Sequence, residues 1–156
     1  MIVIGIGEYA VTDEYGESIV TYALSSCIAM TVYSPIRKVA GMVHISLPEH
    51  YVRQGYMKDN PWTYADTAVP MLIDKLCNDY KCSKLELEIK IYGGAESRNK
   101  SDMFKIGMKN IEAVNKALNS LNLYIHYSDT GGNNSRTITL YSDTGEVRVQ
   151  YLPLKI

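Results

Sequence analysis

A chain of 156 residues fits one domain with a genuine core and is too short for two independent ones. Hydrophobic residues at 46% and charged residues at 21% are globular values that exclude a disordered chain. Sixteen Lys and Arg against seventeen Asp and Glu leave a formal net charge of −1 without a basic block, which argues against nucleic acid or an anionic membrane surface as partner.

In chain order, residues 1–6 read as a buried strand and 18–22 as another. Residues 26–33 are apolar and partly β-branched, the mark of a central strand entered through a Ser25-Ser26 turn. Ser34-Pro35 stops it, and residues 39–47 make the next strand, ended by Pro48. The short link favours a hairpin, which places Cys27 and His44 near the same end. Residues 50–61 turn polar and irregular, either a rim beside a site or a plain surface connection. Ala65, Ala68, Val69, Leu72, Ile73 and Leu76 recur at helical spacing within 62–80, where Pro70 predicts a kink or a late helix start. Leu85, Leu87, Ile89 and Ile91 alternate with charged residues as a half-buried strand that Gly93-Gly94-Ala95 ends. A second helix spans about 106–121, with Ile111, Val114, Leu118 and Leu121 on its inner face. Leu123, Ile125 and Tyr127 alternate as a strand running into residues 129–134. Finally, 136–141 and 146–152 flank Ser142-Asp143-Thr144-Gly145, a hairpin signal. Sandwich and single-sheet layouts both satisfy this pattern.

Residues 1–8 have neither the basic start nor the apolar run of a signal sequence, and no stretch approaches the roughly 18 apolar residues of a membrane span. The expectation is a cytoplasmic protein without membrane insertion. Cys27, Cys77 and Cys82 are odd in number and form no disulfide framework, which suits a reducing compartment. The Cys77/Cys82 spacing is wrong for a zinc pair, so no metal is expected. The two Gly-rich segments lack the spacing of nucleotide loops, and tight turns close to a neighbouring backbone explain them better; no cofactor is expected. Asp129 and Arg136 are placed to pair across the second of these turns. Thirteen tyrosines against one Phe and one Trp fit half-buried strands, with protein recognition as the other reading.

Cys27 in its turn of small residues, with His44 seventeen positions later, is the pattern that points to chemistry. A thiolate is a nucleophile for acyl and amide carbons, and an imidazole takes its proton and stabilises the charge. Residues around Cys27 also read as core packing, and a lone His on an apolar strand as a hydrogen-bonded core residue. His50 in a polar loop and His126 on a later strand are the other histidines. A partnered Cys27 should be rich in thiolate near neutrality.

Thr21-Tyr22-Ala23-Leu24-Ser25-Ser26-Cys27-Ile28-Ala29 closely resembles the signature of the CheD family, the chemoreceptor glutamine deamidases. Gly41-Met42-Val43-His44 with Leu47-Pro48 matches a second block of that family. Further matches are Lys90-Ile91-Tyr92-Gly93-Gly94-Ala95, Ile106-Gly107 with Asn110, and Asp129-Thr130-Gly131-Gly132 with Arg136. The blocks follow the family's order over nearly the whole chain. The resemblance implies an α/β fold, a layered β-sandwich-like core with two main flanking helices, in a single deamidase domain over 1–156. It selects His44, the histidine before the Leu-Pro step, as partner of the Cys27 nucleophile, and maps the third active-site residue onto Thr21. Ser25 and Ser26 shape the site. The family usually has Gly where this chain has Ser25 and Ser135, so a side chain at 25 is expected to strain a positive φ. The implied substrates are glutamines on the cytoplasmic helical bundle of methyl-accepting chemotaxis receptors, hydrolysed to glutamate through a Cys thioester. A CheC-type phosphatase is the implied docking partner, competing for the same surface. A Cys/His pair alone would equally serve a protease or a transglutaminase; the resemblance separates these. The alternative is a non-catalytic regulatory binding module of the chemotaxis system.

Overall fold

The computed structural model describes residues 1–49, 60–96 and 105–154. Its strands are β1 (Ile2–Val3), β2 (Tyr9–Thr12), β3 (Ser18–Leu24), β4 (Ile28–Ser34), β5 (Val39–Ile45), β6 (Glu88–Gly93), β7 (Tyr127–Thr130), β8 (Asn134–Tyr141) and β9 (Val147–Pro153). The helices are α1 (Ala65–Asp74) and α2 (Ile106–Ser120). A five-stranded sheet runs β2-β5-β4-β6-β7, and a four-stranded sheet runs β1-β3-β8-β9.

β4 and β5 are buried along their whole length, as strands covered on both faces must be. They pair antiparallel from Ile28 opposite Ile45 to Ser34 opposite Val39, which is the expected hairpin. Alternation along them sorts the core into two layers. Ile28, Met30, Val32, Val43 and Ile45 pack beneath the helices, with Leu72 of α1 and Leu118 of α2. Ala29, Tyr33, Ala40 and Met42 face the four-stranded sheet and meet Ile19, Leu24, Ile138 and Leu140. The fold is a three-layered α/β/β sandwich, with both helices on one outer face.

Several boundaries differ from the sequence reading. The first strand shrinks to an edge pair, Ile2–Val3, parallel to β3. β2 was not expected; its four residues pair with β5, and Tyr9 stacks on Trp62 at a ring separation of 3.8 Å. α1 begins at Ala65, after a 3-10 turn capped by the Asn60 side chain, too early to place Pro70 in its first turn. Pro70 lies inside α1, where it has no N–H for the carbonyl of Asp66, and the helix widens into a π-turn at Lys75–Asp79. Leu85 is 97% exposed rather than in a strand. A capping box between Ser83 and Glu86 winds residues 84–86 into a 3-10 turn, and β6 starts only at Glu88. Leu123 and Ile125 precede β7 rather than forming it. Most of the expected irregular rim, 50–59 with His50, lies outside the described residues. No helix among the described residues is long and apolar enough to cross a membrane.

Leu118, fully buried between α2 and the five-stranded sheet, tests this layering. Leu118→Ala should cost about 2–5 kcal/mol, seen as a lower denaturant midpoint at unchanged slope, whereas Leu85→Ala should stay within about 0.5 kcal/mol.

Candidate active site

β3 and β5 belong to different sheets, and their side chains meet in the layer between them. Thr21 points inward from β3, and His44 points inward from β5; both are buried. Thr21 Oγ1 lies 2.7 Å from His44 Nδ1 and donates to the carbonyl of Ile4 at 2.8 Å. A hydroxyl has one proton. With that proton on Ile4, Thr21 accepts from His44, so Nδ1 carries the imidazole proton and Nε2 holds the lone pair. Nε2 is buried and has no hydrogen-bond partner among the described residues. Thr21 thus fixes both the ring orientation and the tautomer of His44.

Cys27 lies just before β4, half-buried, and lines a cleft of about 540 Å³ together with His44. Ser25, Tyr22, Ile6 and Glu8 contribute to the same cleft. The chain reaches it through a bulge: Thr21 pairs with Ile138 and Leu24 with Arg136, so β3 carries one extra residue between them. Both Thr21 and Leu24 consequently face the core, while Tyr22 and Ala23 turn outward. The left-handed residue of this segment is Ala23, at φ 54°, not Ser25. Ser25 is exposed without positive φ, so the expected strain at that position is absent; its carbonyl accepts from Ala95 N–H at 2.8 Å.

The turn that carries Cys27 is held from three sides. Gly93, at φ 108°, lies so close that a Cβ there would stand 2.2 Å from the Cys27 carbonyl oxygen. Gly94 N–H donates to that same oxygen at 2.9 Å. Asn110, fully buried on α2, donates to the carbonyls of Ser26 (2.9 Å) and Ser46 (3.0 Å), tying the Cys27 segment to the His44 segment. Beneath them Arg136 pairs with Asp129 at 3.2 Å and donates to the Gly131 carbonyl at 2.9 Å, the pairing expected from sequence. The sequence reading named Asn110 without a role, and it missed Ser46 and Glu8.

Electrostatics overturn one expectation. Burial pushes the Cys27 thiol up, against the pull of a hydrogen bond with Ser46. Burial lowers His44 from 6.5 to about 4, with the Glu8 carboxylate acting the other way. The resting pair is thiol and neutral imidazole rather than the thiolate-rich pair expected. The other histidine described, His126, accepts from Ile89 N–H at 3.1 Å and is remote from the cleft lining. Cys77 and Cys82 pack with the helix layer, also remote from it.

Two measurements follow from this geometry. A depressed His44 pKa means the unfolded chain binds more protons below 6.5, so stability is complete above 6.5 and is lost as pH falls toward about 4. His44→Gln should flatten that part of the stability–pH curve in urea titrations, and an unchanged slope would contradict a buried neutral imidazole. Thr21→Val removes the Nδ1 acceptor, and nitrogen NMR of the imidazole should then show a mixture of tautomers, which Thr21→Ser reverses.

Residues 46–151 match the family described as CheD chemotactic sensory transduction. The chain is 42% identical over 149 residues to the chemoreceptor glutamine deamidase CheD of Thermotoga maritima, covering 95% of this chain and 90% of that protein. It is 40% identical over 149 residues to a probable chemoreceptor glutamine deamidase CheD of Syntrophotalea carbinolica, with 95% and 92% covered. A probable CheD deamidase of Pyrococcus abyssi is 40% identical over 150 residues, with 94% and 89% covered. A family match over most of the chain, together with relatives this similar end to end, makes it a member of the CheD family.

Proposed function

We propose that this protein is a glutamine deamidase that acts on chemoreceptors, its residues 1–156 working as one catalytic unit with Cys27, His44 and Thr21 as its site. The observation that carries the reading is the chain of contacts from Ile4 O through Thr21 Oγ1 to His44 Nδ1. His44 and Cys27 line the same cleft, and among the described residues Nε2 has no hydrogen-bond partner. The full-length similarity to proteins named chemoreceptor glutamine deamidases supplies the substrate class.

In this reading Nε2 takes the Cys27 proton as the sulfur attacks the side-chain carboxamide carbon of glutamine. The imidazolium returns that proton to the amide nitrogen; the C–N bond breaks, ammonia leaves, and a thioester joins the substrate to Cys27. Water then attacks the thioester with Nε2 as base, the C–S bond breaks, and glutamate and the free thiol are released. Main-chain N–H groups around Cys27 receive the oxyanion, each well-placed donor contributing about 2.7–4 kcal/mol. Ser25 and Ser26 shape the turn that presents the sulfur. No step calls on a metal or cofactor. The substrates are glutamines on the cytoplasmic bundle of methyl-accepting receptors, so the protein works in the cytoplasm.

Exposed Val3, Ile6 and Tyr22 border the cleft and support a second, compatible role as a docking surface for a CheC-type phosphatase. On this reading phosphatase and receptor compete, and a non-catalytic regulatory module would retain only the docking. Mass spectrometry of a receptor cytoplasmic fragment should show glutamine converted to glutamate by the native protein and by Cys77→Ala. Cys27→Ala should convert none while keeping its fold and its affinity for the phosphatase. Conversion by Cys27→Ala would refute the assignment, and docking without conversion by the native protein would leave only the regulatory module.

A further inference from the structure

Glu8 continues the pairing of β2 with β5. Tyr9 lies opposite Val43, the His44 N–H donates to Glu8 O at 3.1 Å, and the Gly7 N–H donates to His44 O at 2.9 Å. Glu8 is therefore the cross-strand neighbour of His44, and alternation puts the two side chains on the same face. Ala10, two residues along, packs into the layer between the sheets, which fixes which face that is. The Glu8 side chain is exposed and borders the cleft of Cys27 and His44. It is anchored there. A turn brings Glu8 N–H to Gly5 O at 3.0 Å, and the Gly5 N–H donates back to Glu8 Oε1 at 2.6 Å. Gly7 supplies the left-handed residue of that turn at φ 71°, where a Cβ would stand 2.6 Å from Thr63 Oγ1. Oε1 is held by the Gly5 N–H, which keeps the carboxylate at the border of the cleft.

We propose that Glu8 is a specificity-determining residue of this site, selecting a carboxamide and rejecting a carboxylate. The proposal rests on the deamidase reading above. An amide NH₂ donates to the carboxylate in a charge-assisted hydrogen bond, whereas a carboxylate ligand presents a like charge and no proton. Substrate and product of deamidation differ in just this respect: the reaction replaces NH₂ by an oxygen that ionises at neutral pH. Glu8 thus favours binding of glutamine and departure of glutamate.

The test uses the full-length protein and two alkylating probes on one skeleton, iodoacetamide and iodoacetate. Each forms a bond from the Cys27 sulfur to carbon and expels iodide, and peptide mass spectrometry reads the rate at Cys27. Relative to free cysteine, Cys27 should prefer iodoacetamide, and Glu8→Gln should reduce that preference roughly fivefold to tenfold, the size of one nearby charge partly screened by water. Gln retains an oxygen for the Gly5 N–H, and Glu8→Asp should keep part of the preference because it keeps the charge. An unchanged ratio in Glu8→Gln overturns the proposal. Should that variant fail to fold, the native ratio itself is read against salt, because a preference set by an exposed charge declines as salt screens it; indifference to salt also overturns the proposal. A Glu8-dependent ratio in a protein that converts no receptor glutamine sustains the charge selection and refutes the deamidase reading. Conversion of receptor glutamine with a Glu8-independent ratio does the reverse.

Discussion

One hydroxyl joins the two sheets chemically. Thr21 belongs to the four-stranded sheet and His44 to the five-stranded one, and the 2.7 Å contact between them requires both strands to present those residues to the same layer. Strand alternation makes this demanding, since a slip of one residue in β3 would turn Thr21 to the opposite face. The bulge after Thr21 resolves a second demand. It lets Leu24 reach the core as well, and the chain then leaves one sheet and enters the other, delivering Cys27 at the start of β4. The cleft exists where it does because the chain changes sheets there.

That crossing has little regular structure of its own, so its geometry is imposed from neighbouring elements. Gly93 and Gly94 close on the Cys27 carbonyl from β6, and Asn110 reaches in from α2. The clamp has a cost. Among the described residues, Asn110 Oδ1 and Arg136 Nε are buried without a hydrogen-bond partner, as is His44 Nε2. Buried polar atoms left unpaired are rare because each loses its hydration. Here all three belong to the site or to the groups that hold it, a concentration expected where geometry is fixed for chemistry rather than for stability.

How much was legible in the sequence follows from the range of the forces involved. α2 was readable almost to the residue, because Val114, Leu118 and their neighbours repeat a local period that one buried face enforces. The β4–β5 hairpin was equally local, and with it the approach of Cys27 to His44. Residues 9–12 gave too short a run to announce β2, and Leu85 mimicked strand alternation while a capping box two residues away held it in a turn. The contact of Thr21 with His44 joins different sheets across 23 positions, and no local pattern encodes it; only the family resemblance pointed to Thr21. Ser25 shows the limit of such a resemblance, since the strained φ sits two residues earlier, at Ala23. Ser46 and Glu8 left no signal, as their parts depend on which neighbours the fold assembles.

Burial sets the energetic problem that the site has to solve. Burial pushes the Cys27 thiol up and lowers the His44 imidazole to about 4, so moving the proton from Cys27 to His44 at rest is uphill. Glu8 acts in the required direction, since its carboxylate favours the imidazolium. The Ser46 hydrogen bond favours the thiolate. Neither group makes Cys27 a thiolate at rest. In the proposed reaction, charge separation therefore coincides with attack, when the developing oxyanion also meets its N–H donors.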